Sequence, residues 1–414
     1  MTHLFVHYHL RPGGVTRVLQ CEAEEFSRRG IPFFTITAGP ASSLTGEHRE
    51  IPWLDYASKA PFSVKDLWAT VQDLPRPLIW HIHNPMLGCH PEMSALVEQL
   101  ALAQERLILH IHDFAEDGRP ENLQRLSQGP PWFPTGARVH YVVLNRRDRD
   151  VLFRAGLSES QVTILGNPVS PHPLPLSVHE HPRLLYPTRA ITRKNIGEML
   201  LLAAIGPAGT TFATTLGPGQ SRYQEEYGHW QQIANDLALP FEWAIAEKHP
   251  APSLEECVAE ATHLITTSTK EGFGMAFLES IAWQRPLIGR AIPHIQENLA
   301  DAGIVHPFLY EGIFVDGIDF AKQTTAEKTR LLEHSRSHPE FIQVLLRNRL
   351  IDARQWLLEA LSPTHQPLPI SLLDPFHPKR HGESISLIAQ NLQEAPESAI
   401  SYLDAESIRR SFSA

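Results

Sequence analysis

The residues best suited to chemistry lie in one segment, Thr266-Thr267-Ser268-Thr269-Lys270-Glu271-Gly272-Phe273-Gly274-Met275-Ala276-Phe277-Leu278-Glu279-Ser280. It follows a short apolar run, Ala261 to Ile265, that reads as a mostly buried strand of a parallel sheet. Gly272 and Gly274 bracket a Phe, so the backbone can turn sharply and present free N–H groups at the start of a helix. Such a turn suits a phosphate or a sugar hydroxyl. Glu271 falls in the loop and Glu279 two turns into the expected helix. At 100° per residue they stand about 80° apart around the axis and roughly 12 Å along it. That is about the span of a ribose-diphosphate-sugar, so one carboxylate can meet a sugar while the other meets a ribose. The plainer reading is a strand–loop–helix with two surface glutamates.

A second cluster is basic. Tyr186-Pro187-Thr188-Arg189-Ala190-Ile191-Thr192-Arg193-Lys194-Asn195 begins at a strand end and runs into a helix N-terminus. Ligands of parallel sheets sit at that edge. Arg189 can form paired hydrogen bonds to a phosphate, and Lys194 supplies a point charge. Cations are mildly unfavourable at a helix N-terminus, so their presence calls for an anion. Gly13-Gly14-Val15-Thr16-Arg17 also follows a strand and opens a helix. A dinucleotide fingerprint would need a third glycine, so a dehydrogenase is a distant alternative.

Histidine is abundant, at 23 residues. His81-Ile82-His83 and His110-Ile111-His112 each point two imidazoles to one strand face and could pair as ligands. Both end apolar strands where a cleft is expected, so they are read as cleft-lining imidazoles rather than a metal site. His83-Asn84-Pro85 is expected to shape the same cleft. Asp148-Arg149-Asp150 opens a helix, where i and i+2 side chains diverge; it reads as a first-turn charge cluster, not a metal site.

The elements that must hold these residues alternate. Strands are expected at Leu4 to His9, Pro32 to Thr37, Pro77 to His83, Arg106 to His112 and Val139 to Asn145, with helices between, one near Pro91 to Ala103. A second series starts at Arg183 to Pro187. It continues through a helix from Asn195 to Ile205, strands near Thr211 to Leu216 and Phe241 to Ala246, and a strand Pro286 to Gly289. A long amphipathic helix is expected over Pro339 to Leu361, another near Ser384 to Leu392, and a partly disordered polar end from Glu394. Two doubly wound parallel units result: 1–170, a proline-rich linker 171–182, and 183–338, with helices and tail over 339–414 that can pack back on the first unit.

The Glu271 segment resembles the E-x7-E signature of retaining GT-B glycosyltransferases, specifically glycosyltransferase family four. The resemblance implies two Rossmann-like domains facing a central cleft, with a C-terminal helical extension. It implies that Glu271 and the groups of Gly272, Phe273, Gly274 and Met275 hold the donor sugar, and that Glu279 binds the ribose. Gly13 and Gly14 resemble the family's Gly-Gly-x-x-Arg loop beside donor diphosphate and acceptor, and Arg189 with Lys194-Asn195 its diphosphate clamp. His112, with Asp113 orienting its ring, would stand by the donor sugar on the acceptor side. In the family the donor phosphate is thought to help deprotonate the acceptor. The chain departs from the pattern at Trp283 and Arg290, bulky where small residues are common, which would alter donor or acceptor selection.

The resemblance thus implies metal-independent transfer of a hexosyl group from a UDP- or GDP-sugar to an acceptor hydroxyl. The nucleotide sugar is a co-substrate, with no cofactor and no metal ligand; the acceptor is a small molecule, glycan or lipid-linked. A GT-B epimerase, a phosphorylase or a non-catalytic nucleotide-sugar-binding protein is the alternative. Composition sets the outer bounds. At 414 residues the chain exceeds one comfortable core. A net charge of −10 argues against nucleic acid as the partner. Cys21, Cys89 and Cys257 are far apart, which suits a reducing cytoplasm and neither a disulfide framework nor a zinc cluster. Met1 to Leu10 lacks the features of a signal peptide, and no apolar stretch reaches a membrane span, leaving only peripheral membrane contact.

Overall fold

The computed structural model describes residues 1–11, 13–40, 44–55, 63–90, 92–117, 119–127 and 132–413. Pro91, named above at a helix start, lies outside them. The chain divides into two units, one of Met1–Pro168 with Phe376–Ala414 and one of Val169–Pro375.

The first unit is built on β1 (Thr2–Val6), α1 (Gly14–Arg28), β2 (Phe33–Thr37), β3 (Glu47–Glu50), α2 (Val64–Val71), β4 (Leu78–His83), α3 (Met93–Leu102), β5 (Arg106–Ile111), α4 (Pro120–Leu126), β6 (Pro134–Thr135), β7 (Val139–Val143), α5 (Arg146–Arg154) and β8 (Val162–Ile164). Seven strands form a parallel sheet in the order β3-β2-β1-β4-β5-β7-β8. Its central strands are apolar and buried because helices cover both faces. On one face Leu19, Ala23 and Phe26 of α1 pack on Phe5, Ile79, Ile108 and Val142. The other carries Leu67, Leu96, Leu100 and Val151 from α2, α3 and α5.

The second unit repeats the pattern with β9 (Arg183–Arg189), α6 (Ile196–Ile205), β10 (Thr211–Leu216), α7 (Gln224–Asp236), β11 (Phe241–Glu242), α8 (Leu254–Ala259), β12 (His263–Thr266), α9 (Met275–Ala282), β13 (Leu287–Arg290), α10 (Pro293–Asp301) and β14 (Phe308–Tyr310). The sheet is parallel, in the order β11-β10-β9-β12-β13-β14. Both central orders reverse beside the first strand, as in doubly wound nucleotide-binding sheets. The proline-rich stretch 171–182 is packed on this unit rather than free: His172 and Leu174 donate backbone bonds to Ala282 and Trp283, and Arg285 binds the carbonyls of Leu174 and Pro175.

The helix expected over Pro339 to Leu361 is absent. After β15 (Gly312–Val315), β16 (Ile318–Asp319) and α11 (Thr325–Ser337) come β17 (Ile342–Leu346), β18 (Arg349–Asp352) and only then α12 (Ala353–Ala360). Strands β16-β15-β17-β18 make a four-stranded antiparallel sheet. Arg347 and Asn348 both have positive φ (46° and 65°), the signature of a tight hairpin turn that no helix can contain. Ile342, Val344, Trp356 and Leu357 join the core of the second unit, so this region braces that unit.

The stretch beyond Glu394, expected to be partly disordered, carries a strand and a helix among the described residues. In α13 (Pro378–Glu394), Ile385, Ile388, Ala389 and Leu392 cover the same face of the first sheet as α1. Ser401–Tyr402 (β19) pairs antiparallel with β6, and α14 (Ala405–Ser413) adds Ile408 and Phe412 to the opposite core. Polar composition concealed these few anchoring residues.

Candidate functional site

Glu271 gathers two cations of the second unit. Strand β12 ends at Thr266, and residues 267–274 form the turn into α9. Within that turn the Glu271 carboxylate is held by Lys194 and Arg193, and accepts from the Ser268 hydroxyl. Arg193 also donates to the Lys270 carbonyl at 2.8 Å. Behind it, the Tyr186 hydroxyl lies 2.6 Å from Ser268 Oγ, and Thr267 Oγ1 donates to the Lys194 carbonyl at 2.8 Å. The backbone N–H of Thr269 reaches the Arg193 carbonyl at 2.9 Å, and His294 Nε2 lies 3.0 Å from the Glu271 carbonyl. Burial alone would raise the pKa of Glu271; the charges of Lys194 and Arg193, with hydrogen bonds from Lys194 and Ser268, bring it down to about 2.

Both loops therefore meet at the C-terminal edge of β9 and β12, where ligands of such sheets bind. Gly274 caps α9 with φ +80°, and a Cβ there would press on Phe277 and Ile295 at 2.8 and 2.9 Å. Helix α9 starts only at Met275, so Glu271 lies outside it and Glu279 is its fifth residue. The helical-wheel offset expected between the two glutamates does not apply. Arg189 turns toward the next loop: Nη1 donates to the Gly217 carbonyl at 3.3 Å, and a Cβ on Gly219 would fall 2.4 Å from it. Glu247 accepts from Gly217 N–H at 3.1 Å and holds that loop.

Asn195, beside Lys194, serves the interior instead. It takes a left-handed conformation (φ 51°) and donates to Glu198 at 2.8 Å while accepting from Lys328 at 2.9 Å. Glu198 is a buried carboxylate that sequence reasoning missed. It accepts from Nε and Nη2 of Arg290 and from the Tyr310 hydroxyl at 2.6 Å. Burial opposes the charge on Arg290, but Glu198 outweighs it and raises the pKa. Arg290 is thus an internal brace and Trp283 is 1% exposed, so neither is a free selector of donor or acceptor. The signal for Glu198 was a lone carboxylate inside the apolar run Ile196–Ile205.

In the first unit, Gly13 is the N-cap of α1, with an extended φ of 176° that any residue adopts. Among the described residues no atom lies within 4 Å of a Cβ placed on Gly14. Neither glycine is demanded by local packing. His112 Nε2 lies 3.0 Å from His83 Nδ1, and burial, the largest cause, lowers its pKa to about 3. The Asp113 carboxylate pairs with Arg119 at 3.2 Å, while the Asp113 and His112 N–H groups both donate to Asn84 Oδ1. The expected Asp113–His112 arrangement is replaced by a His83–His112 one.

His81, His83 and His110 do not line a surface. All three are fully buried beneath α1 and α13, because alternate residues of a central strand face an overlying helix layer. Asp148 and Asp150 diverge as expected: Asp148 is buried against Asn145 and Arg147, and Asp150 pairs with Arg149. Burial, only partly offset by Arg147, raises Asp148 to about 6.

A cavity of about 560 Å³ in the second unit lies beside the N-terminal ends of β9 and β10, lined by Arg183, Thr211 and Glu260. That is the edge opposite to the Glu271 cluster. Among the described residues no helix is long and apolar enough to cross a membrane.

No protein-family model matches the chain. It is 25% identical over 258 residues to the mannosylglucosyl-3-phosphoglycerate synthase of Petrotoga mobilis, a stretch covering 56% of this chain and 50% of that relative. The chain therefore spans about half the length of the curated relative it matches. Among solved structures, Anabaena HepE in complex with UDP and glucose superposes with a TM-score of 0.58 at 14% identity, covering 94% of this chain and 99% of that one. Sucrose-phosphate synthase from Thermosynechococcus elongatus gives a TM-score of 0.61 at 12% identity, covering 95% and 99%. The chain has the mixed α/β fold of the GT-B glycosyltransferases, with two Rossmann-like domains.

Proposed function

We propose that this protein is a retaining glycosyltransferase that moves a hexosyl group from a nucleotide diphosphate sugar to an acceptor hydroxyl, with no metal in the transfer step. The observation that carries the reading is the Glu271–Lys194–Arg193 cluster at the sheet edge leading into α9. Two cations face one carboxylate there, leaving positive charge for a diphosphate. A donor entering this edge would draw Lys194, with Arg189, onto its phosphates. The Glu271 carboxylate, released on one side and still held by Arg193, would accept hydrogen bonds from donor-sugar hydroxyls.

As the glycosidic bond breaks, charge builds on the leaving diphosphate. Lys194, Arg189 and the N–H groups at the start of α9, over Gly272, Phe273, Gly274 and Met275, would offset it in place of a cation. Glu279 would accept from the ribose hydroxyls. In the first unit, Gly13, Gly14 and His112 are assigned to the donor sugar and acceptor; the space at Gly14 suits close approach of a ligand. This family-four assignment rests on the residue pattern.

The relative's name and the HepE complexes make UDP-glucose and a mannosyl donor such as GDP-mannose the first donors to test, with a glucosylated 3-phosphoglycerate as first acceptor. Donor consumption and product configuration can be followed together by NMR. The expected result is acceptor-dependent release of one nucleotide diphosphate, unchanged without added divalent cation, and a product keeping the donor's anomeric configuration. An inverted product would refute retention. Donor epimerisation without acceptor, or turnover dependent on orthophosphate, would replace the transferase reading.

A further inference from the structure

The buried face of the first sheet holds a cluster of ligand-type side chains that the proposed transfer does not use. The register pairs His83 of β4 with His110 of β5, and sets His81 one pleat away on the same face. Glu22 of α1 drops onto them from above; it occupies the apolar stripe of that helix between Leu19 and Phe26. Glu22, His81, His83 and His110 each place one donor atom so that all four lie within 4.8 Å of one another. All four residues are at most 1% exposed.

Glu22 Oε2, His81 Nδ1, His83 Nε2 and His110 Nε2 are buried and make no hydrogen bond of good geometry. His83 Nε2 and Glu22 Oε2 nevertheless approach to 3.1 Å. Leaving His81 Nδ1 and His110 Nε2 unsatisfied would cost about 1–3 kcal/mol each. The edge of a tetrahedron of zinc ligands with bonds near 2.0 Å is roughly 3.3 Å, close to that spacing. The groups around the cluster orient it. Within it His81 Nε2 lies 3.1 Å from His110 Nδ1, which is 3.8 Å from Glu22 Oε1, and outside it His83 Nδ1 lies 3.0 Å from His112 Nε2. The second Glu22 oxygen lies 2.7 Å from His381 Nε2, whose Nδ1 is 3.1 Å from the Gly166 carbonyl. His381 thus has both nitrogens engaged and supports the carboxylate from α13.

We propose that Glu22, His81, His83 and His110 bind one zinc-class divalent ion that is structural, not catalytic. Three imidazoles and a carboxylate are a donor set for such an ion, and full burial leaves no open position for substrate. The ion would join α1 to β4 and β5. Through the Glu22–His381 contact it would also fasten α13, so that the end of the chain is tied to its beginning. The expectation of cleft-lining imidazoles did not include Glu22, which supplies the fourth ligand.

The test uses the full chain, purified without added metal and assayed by elemental analysis, then unfolded with chelator and refolded with and without Zn2+ or Co2+. The expected result is about one zinc-class ion per chain, and a Tm lowered by refolding without metal and restored by one equivalent. The Co2+ form should show the visible bands of a tetrahedral site. Glu22→Gln and His83→Gln should each drop the metal below about a tenth of an equivalent, while His140→Gln, on the neighbouring strand, should retain it. If those two variants do not fold, wild-type content and the refolding series decide. A wild-type chain that carries no metal and whose Tm ignores Zn2+ and Co2+ would overturn the proposal. So would a full equivalent retained in Glu22→Gln.

Discussion

Glu271 is the residue on which most of the candidate site depends, and its environment sets a pH dependence. Its pKa is about 2 in the folded chain against an ordinary value near 4.5. A depressed carboxyl pKa gives stability that is fully present above the ordinary value and is lost as pH falls through the folded one. The contribution, up to about 3 kcal/mol, should therefore disappear between about pH 4.5 and pH 2. Glu271→Gln should flatten this limb in urea titrations at stepped pH, and lower donor turnover on the order of 100-fold. A variant with wild-type turnover would remove Glu271 from the site. That Glu271 falls in a turn between a buried strand and a helix was readable from the apolar run before it and from Gly272 and Gly274. The partners Arg193 and Ser268 were not, since they depend on which loops the strand order brings together.

The elements that carry the site are a strand end, a turn and a short helix. Gly274 sits at their joint with φ +80°, where a Cβ would overlap Phe277 and Ile295. Gly274→Ala should cost about 1–3 kcal/mol of stability and tilt the start of α9, so nucleotide affinity should fall more than for a surface Gly228→Ala control. Thermal unfolding and nucleotide titration of both variants would check this; equal affinity would separate the cap from ligand binding. Element type was legible where strands were largely apolar runs, as in β4 and β5. It failed at Ile342 to Leu346, where alternation of Ile342, Val344 and Leu346 marks a strand and Arg347-Asn348 a hairpin. The apolar content resembled a helix stripe, and two positive φ angles carry no strong sequence mark outside glycine.

At the scale of the molecule, the chain leaves the first unit at Pro168 and returns to it at Phe376. The returning segment buries Ile385, Ile388, Ala389, Leu392 and Ile408. Their apolar burial is worth about 5–10 kcal/mol, comparable with the stability of a whole domain. Truncation after Pro375 should therefore leave the first unit protease-sensitive while the second unit resists digestion. Simultaneous loss of both would show that the units are interdependent. This return was only partly legible, because His381 and Glu22 stand 359 positions apart. Buried and half-buried histidines outside that cluster add a second pH effect. His140, His263 and His306 have pKa values lowered to about 4 by burial. The unfolded chain binds their protons first, so stability should fall as pH drops from about 6.5 toward 4.

The most direct test of the donor-site account is nucleotide binding by the whole chain and by Glu279→Ala. Thermal shifts would be measured with UDP, GDP, ADP and their sugars, without added divalent cation. A ligand at about 100 times its Kd should stabilise the native state by about 2.7 kcal/mol. The account predicts a clear shift for one base and its sugar nucleotide, with affinity weakened about 10- to 100-fold in Glu279→Ala. No shift with any nucleotide, or equal shifts in wild type and variant, would contradict it.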